Sequence, residues 1–447
     1  MKSMEKAIEI IVDRMALAGE GVGRINTIPV FVAGALSGER VRARITERKK
    51  SYMRGQTMEI LSPSADRVSP ACPVYGMCGG CNVMHLAYGA QVQYKKQLVC
   101  EAMQRIGGFS SIPVNECIAS PHEFGYRNKI QVPIREKKRR LVMGFFAQNS
   151  HDVVPVASCP VHCEQGNRVY GVVRDMVTRS GIHAYSEQAH TGVLRHVLVR
   201  TARFTGESLV CLISMAPSGQ RLEQLARALC AKCPGVKGVV LNINKTRGNV
   251  ILGQATYQLA GQPYVTEEIE GLRFRITAPS FFQINSAQIT VMHSIIAGFL
   301  KEHACETLVD AYCGVGVFSL LLSRTAKQVI GIESVSEAIR DARLNASLNN
   351  INNTEFIQGF VENEIHKIKD IDAVILNPPR TGCEGSVLHA LGKAKPGKIV
   401  YVSCNPATLA RDLKIITDSG YKIMLVQPVD MFPQTAHVET IVGLTLK

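Results

Sequence analysis

Cys404 stands in VSCNP (402–406), directly after the apolar run KIVY, so its thiol falls at the end of an expected buried strand. Cysteine is often a small apolar filler, but SCNP is polar and turn-forming, which leaves a nucleophile as the other reading. Farther on, FPQTAHVE (432–439) sets His437 and Glu439 just before the last apolar run. A lone glutamate is usually a solvated surface group; beside a nucleophile it could act as a general base. A second group of thiols lies nearer the start: Cys72, Cys78 and Cys81, with two glycines between the last pair, and Cys159 followed by proline. Glycines between cysteines allow the chain to wrap tightly around a metal or cluster, and the proline fits ferredoxin-type sites. Zinc held by four thiolates is the alternative. Cys163 competes with Cys159 for the fourth place. Cys230 and Cys233 have the spacing of half a metal site, but no second pair lies nearby and they read as core.

These residues need a scaffold. From about residue 271 the pattern is β-α-β: the apolar run ETLVDAY, a glycine turn, a helix, KQVIGIE, and a helix expected to open with a capping box of Ser334 and Glu337. DAVILN and KIVYVS are further buried, parallel-type strands, and the last two apolar runs read as an antiparallel pair. Such a doubly wound sheet binds its ligand at the carboxyl ends of the strands. The first turn carries Tyr312, Gly314 and Gly316, where a ligand can approach the backbone, and Glu333 ends the second strand, where a carboxylate can hold ribose hydroxyls. Dinucleotide enzymes and S-adenosylmethionine (SAM) methyltransferases share that pair. Ser319 stands where a dinucleotide fingerprint has its third glycine. Asn377 ends the fourth strand, before two prolines and Arg380, which terminate it and hold the polar side chain at the sheet edge.

Upstream, residues 1–62 alternate β-branched runs with glycine turns and suggest a small β-barrel. Arg40, Arg42, Arg44, Arg48, Lys49, Lys50 and Arg54 give it a basic face suited to nucleic acid, with a merely solvated charged face as the alternative. Residues 63–270 are mixed, with a helix expected over about 86–107 whose apolar face is Tyr88, Val92, Leu98, Val99 and Met103, and which could pack on the third unit, 271–447. The whole chain has 51 basic against 37 acidic residues, a net charge of +14, which fits a polyanionic partner. No apolar stretch is long enough for a bilayer, and the N-terminus lacks a signal-peptide core. The expectation is a cytoplasmic protein without membrane contact, whose fourteen cysteines are not a disulfide framework.

DAYCGVG, NPPR, SCNPATLARD, FPQTAHVE and, upstream, Phe282-Gln283-Ile284-Asn285 together resemble the RNA uracil-5-methyltransferase family over essentially the whole chain. The resemblance implies an α/β protein with three parts: an N-terminal OB-like TRAM barrel, a central α+β domain with an iron–sulfur cluster, and a C-terminal class I SAM methyltransferase sheet. It implies that Cys404 adds to uracil C6 and that Glu439 removes the C5 proton. Gln283, Tyr312, Gly314, Glu333 and Asn377 fall on donor-binding positions, although the family commonly has aspartate at Asn377. Cys72, Cys78, Cys81 and Cys159 match the [4Fe–4S] ligands of the ribosomal-RNA branch. The implied substrate is a uridine of ribosomal RNA, the 23S species, modified by a monomeric enzyme. The alternatives are the same chemistry on transfer RNA, a nucleotide-binding oxidoreductase, and a non-catalytic RNA-binding iron–sulfur protein.

Overall fold

The structure, a computed structural model, describes residues 7–137, 140–301 and 305–447. The expected barrel starts at residue 1, so its first six residues lie outside the described residues. Strands β1 (Ile8–Met15), β2 (Gly21–Ile25), β3 (Ile28–Ala33), β4 (Arg40–Arg48) and β5 (Met53–Ser62) close into a barrel in the order β1-β2-β3-β5-β4. Strict alternation in β4 sends Val41, Ala43 and Ile45 into a core with Val12, Val30 and Val32, and the arginines outward. Part of that basic face is neutralised. Arg42 pairs with Glu9 and Glu59, Arg54 with Glu20 and Glu47, and Lys49 with Glu47.

Helix α1 (Tyr88–Arg105) follows the cysteine loop. It buries Leu98, Val99 and Met103 as its pattern predicts, but leaves Tyr88 and Val92 half-buried and buries Gln91 and Lys95 instead. Those two polar side chains go inside because partners await them. Lys95 Nζ donates to Asp430 Oδ1 at 2.5 Å and to the Phe432 carbonyl at 3.0 Å, and both charged groups are fully buried. Gln91 exchanges two hydrogen bonds with Gln434.

The central sheet runs from β6 (Lys129–Lys137), β7 (Arg140–Phe146) and β8 (Val153–Pro155), past helix α2 (Glu164–Arg179), to β9 (Leu194–Thr201) and β10 (Ser208–Ser214). Helix α3 (Gln220–Lys232), β11 (Val236–Ile243) and β12 (Ala255–Gly261) complete it, in the spatial order β12-β11-β10-β9-β6-β7-β8. Every residue of β9 and β10 is buried. One face packs under α2 and α3; the other contributes Leu198, Leu209, Cys211 and Ile213 to the core of the next unit.

That unit opens with the hairpin β13 (Tyr264–Ile269) and β14 (Leu272–Thr277) and helix α4 (Ser286–Leu300). Its sheet then forms from six strands running in one direction with helices between them: β15 (Cys305–Ala311), α5 (Val317–Leu321), β16 (Ala326–Glu333), α6 (Ser336–Leu348), β17 (Thr354–Gln358), α7 (Val361–Glu364), β18 (Ala373–Leu376), α8 (Gly385–Ala394), β19 (Lys398–Ser403), α9 (Pro406–Asp418) and β20 (Tyr421–Val429). The last strand, β21 (Glu439–Leu446), inserts antiparallel between β19 and β20, giving β17-β16-β15-β18-β19-β21-β20. The expected capping box of α6 does not form. Ser334 Oγ donates to the nearer carboxylate of Glu333, and Glu337 takes the Ser336 hydroxyl.

Removing one member of a buried ion pair leaves the other charge uncompensated. Lys95→Met is therefore expected to lower unfolding free energy by about 3–5 kcal/mol in chemical denaturation, and adding Asp430→Asn to recover part of that loss.

Candidate active site

Antiparallel pairing of β19 with β21 ends at Ser403 opposite Thr440. Continuing the register by one residue sets Cys404 beside Glu439, although 34 positions separate them in the chain. Glu439 is buried and Cys404 half-buried. Arg380, from the turn after β18, acts on both: its guanidinium favours the charged forms of the Cys404 thiol and the Glu439 carboxyl. The loop holds Arg380 in place through its carbonyl, which accepts from Asn405 Nδ2 at 3.1 Å and Thr408 Oγ1 at 3.3 Å.

The electrostatics follow from this placement. Burial pushes the Glu439 carboxyl up to about 8, with Arg380 pulling the other way. Burial, and then the charge of Glu439, push the Cys404 thiol above its ordinary value, while Arg380 favours the thiolate. The crevice thus accommodates one negative charge beside Arg380 far more readily than two. Packing on one side, then Arg380, Lys95 and Arg127, pull His437 below its ordinary value although the residue keeps an exposed surface; the ring meets Phe432 edge-on with centroids 6.0 Å apart.

The five donor-site positions gather at the carboxyl ends of β15, β16 and β18 and on the segment before α4. Tyr312 has φ 68°, Gly314 57° and Gly316 80°; a left-handed tyrosine at a strand-to-helix turn is stored strain of the kind found at ligand sites. Glu333 receives the Gly314 amide on Oε2 (3.2 Å) and the Val335 amide on Oε1 (2.9 Å), so it ties the two strand ends together and keeps lone pairs for a ligand. The Asn377 amide reaches the Ala311 carbonyl at 3.4 Å, joining the end of β18 to that of β15. Gln283 is nearly buried, and its backbone carbonyl accepts from Asn128 Nδ2 at 2.8 Å. Ser319, the departure from a dinucleotide fingerprint, donates to Asp310 Oδ2 at 2.5 Å, and burial lifts that carboxyl to about 7.

Cys72, Cys78, Cys81 and Cys159 line one cavity of about 70 Å³, with Tyr75 and Arg127 among its other walls. Burial, and then neighbouring thiols, push Cys81 up to about 12. Cys163 turns elsewhere: it caps α2, its sulfur accepting from the Gly166 amide at 3.4 Å. Among the described residues, no three or more His, Cys, Asp or Glu side chains are arranged to hold a metal ion.

A family model described as tRNA (Uracil-5-)-methyltransferase matches residues 259–447, and a TRAM domain model matches residues 6–58. An uncharacterised RNA methyltransferase of Clostridium tetani is 40% identical, over 96% of this chain and 94% of its own. One of Bacillus cereus is 40% identical, over 98% and 97%. The chain belongs to the RNA uracil-5-methyltransferase family. The crystal structure of Pyrococcus abyssi tRNA (uracil-54, C5)-methyltransferase in complex with S-adenosyl-L-homocysteine superimposes with a TM-score of 0.78 at 26% identity, covering 98% of this chain and 100% of that one. No helix among the described residues is long and apolar enough to cross a membrane.

Arg380 follows the prolines of NPPR, and its role emerges only from the fold. The signal was a cation directly after the prolines that end a ligand-edge strand. Lys95 and Gln91 were also missed as polar positions one turn apart inside an otherwise apolar helix face.

The raised Glu439 carboxyl has a measurable consequence. A folded pKa above the unfolded value means the folded state holds more protons in between, so this group's contribution favours folding most below about 4.5 and is lost as pH rises to about 8. Glu439→Gln is expected to remove that slope, raising the melting temperature relative to wild type at pH 8 and not at pH 4.5; parallel slopes in calorimetry from pH 4.5 to 8 would contradict it.

Proposed function

We propose that this chain transfers a methyl group from SAM to C5 of a uridine in ribosomal RNA, the 23S species, forming 5-methyluridine. The observation that carries the reading is the Cys404–Arg380–Glu439 constellation at the edge where the glycine turn and Asn377 also lie. Uracil C5 is a poor nucleophile until a thiolate adds to C6. Arg380 stabilises the Cys404 thiolate for that attack, which forms the Sγ–C6 bond and leaves an enolate-like C5. SAM supplies an electrophilic methyl group to that carbon. Its binding fits the strained Tyr312 turn, the remaining lone pairs of Glu333, and the Asn377 side chain, an acceptor without charge. Once C5 carries the methyl group, the Glu439 carboxylate takes the C5 proton and the Sγ–C6 bond breaks, returning the thiolate to Arg380. A carboxyl held near 8 is a stronger base than an ordinary one, which suits removal of a C5 proton α to the C4 carbonyl. The target base must leave its stack to reach Cys404.

For the cysteine-lined cavity we propose a [4Fe–4S] cluster held by Cys72, Cys78, Cys81 and Cys159. Four cysteines facing one cavity, with glycines between Cys78 and Cys81 and a proline after Cys159, support that reading. Methyl transfer moves no net electrons, so its role is structural.

Transfer RNA is the second reading, favoured by the near-complete superposition on the archaeal tRNA enzyme. Mapping 5-methyluridine in ribosomal and transfer RNA from cells with and without the gene separates the two. Loss from neither RNA would refute the function. Cys404→Ala is expected to abolish covalent trapping of 5-fluorouracil-containing RNA, and trapping that survives would mean another nucleophile. Anaerobically purified protein should contain about four iron and four sulfide per chain; zinc without visible absorption would refute the cluster.

A further inference from the structure

Residues 430–438 lead into Glu439 without regular secondary structure, so something outside the loop must fix the base. One side of the loop hangs on α1 through Lys95 and Gln91. The other side hangs on the cysteine segment. Tyr126, fully buried, packs its ring with Met84 and Val161 beside Cys72, Cys81 and Cys159, and its hydroxyl donates to the Pro433 carbonyl at 2.9 Å. Asn82 follows Cys81 directly. Its Oδ1 accepts from the Ala436 amide at 2.8 Å, and its Nδ2 donates to the Ala18 carbonyl of the barrel at 2.6 Å. The Val83 amide adds a bond to the Gln434 carbonyl at 3.3 Å. Between these anchors Gln434 adopts φ 69°, a left-handed conformation that a non-glycine residue keeps only when its surroundings impose it.

We propose that Asn82 and Tyr126 are positioning residues for the general base, which make the placement of Glu439 depend on the cysteine-lined segment and the barrel. The inference rests on the reading of Glu439 as the base. Neither side chain is needed for the earlier chemistry: Sγ–C6 bond formation uses Cys404 and Arg380, and methyl transfer breaks the donor's S–CH3 bond and releases S-adenosylhomocysteine. What a displaced Glu439 cannot do is remove the C5 proton. The methylated adduct then keeps its Sγ–C6 bond and accumulates.

The test uses the full chain, SAM with a labelled methyl group, and two RNAs, one with uracil and one with 5-fluorouracil at the target. Glu439→Gln serves as the reference and should leave a denaturant-stable, methyl-labelled complex with the uracil RNA. Asn82→Ala is expected to leave the same complex and to lower turnover about 10-fold, and Tyr126→Phe about 3-fold, on the scale of one hydrogen bond. Trapping by 5-fluorouracil RNA, which needs no proton removal, should stay within about 2-fold of wild type. Retained trapping together with adduct accumulation separates a displaced base from general damage to the segment, which would lower both. Turnover losses matched by equal losses of trapping would overturn the inference, as would an adduct in Glu439→Gln but none in Asn82→Ala. Normal product release by Glu439→Gln would remove the general-base reading itself, and the positioning inference with it.

Discussion

Two acids that must ionise at different moments, the Cys404 thiol and the Glu439 carboxyl, share the Arg380 guanidinium at a site where the carboxyl is buried and the thiol half-buried. In such surroundings a second negative charge is expensive and a single one beside a cation is not. The charge can therefore reside on sulfur while the carboxyl holds a proton, or on the carboxylate while sulfur is bound to carbon. Coupling of this kind makes the titration a property of the pair, with Arg380 as the fixed pole.

That constraint explains the sheet. Parallel strands bring their carboxyl ends to one edge, which is where Cys404, Asn377, Glu333 and the Tyr312 turn lie. A residue that begins a strand reaches the same edge only if that strand runs the other way. Inserting β21 antiparallel between β19 and β20 does this for Glu439, and the Ser403–Thr440 pair locks the two reacting side chains into neighbouring positions. A one-residue slip would turn Glu439 to the opposite face.

Much of this was legible in the chain. The alternating strands of the barrel, the buried runs of the catalytic sheet and the polar strand ends NPPR and SCNP each carry a local signature, and they marked Cys404 and Asn377 as edge residues. Glu439 was legible only through its proximity to a histidine and a final strand, since its partner comes from register across distant sequence. Arg380 was hidden for the same reason. Lys95 defied the helix pattern because a buried lysine is favourable only where a distant carboxylate meets it, and nothing near position 95 announces Asp430. The capping box failed because the helix begins one residue later than expected, with Val335 at the cap position, so Ser334 lies outside it and its hydroxyl donates to Glu333.

The anchors of the loop before Glu439 are chosen from a narrow chemical set. Asn82, Gln91, Gln434 and Tyr126 are neutral and act through backbone amides and carbonyls and one side-chain amide pair, Gln91 with Gln434. A charged anchor in the same low-dielectric surroundings would shift the carboxyl it was meant to place, a lysine pulling it down and a carboxylate pushing it higher. The charged pair that does touch the loop, Lys95 with Asp430, is closed on itself at 2.5 Å; Lys95 acts on His437, whereas the charge acting on Glu439 is that of Arg380. Position and basicity of Glu439 are thereby set by different groups: neutral hydrogen bonds fix where it stands, and burial against Arg380 fixes how strongly it holds a proton.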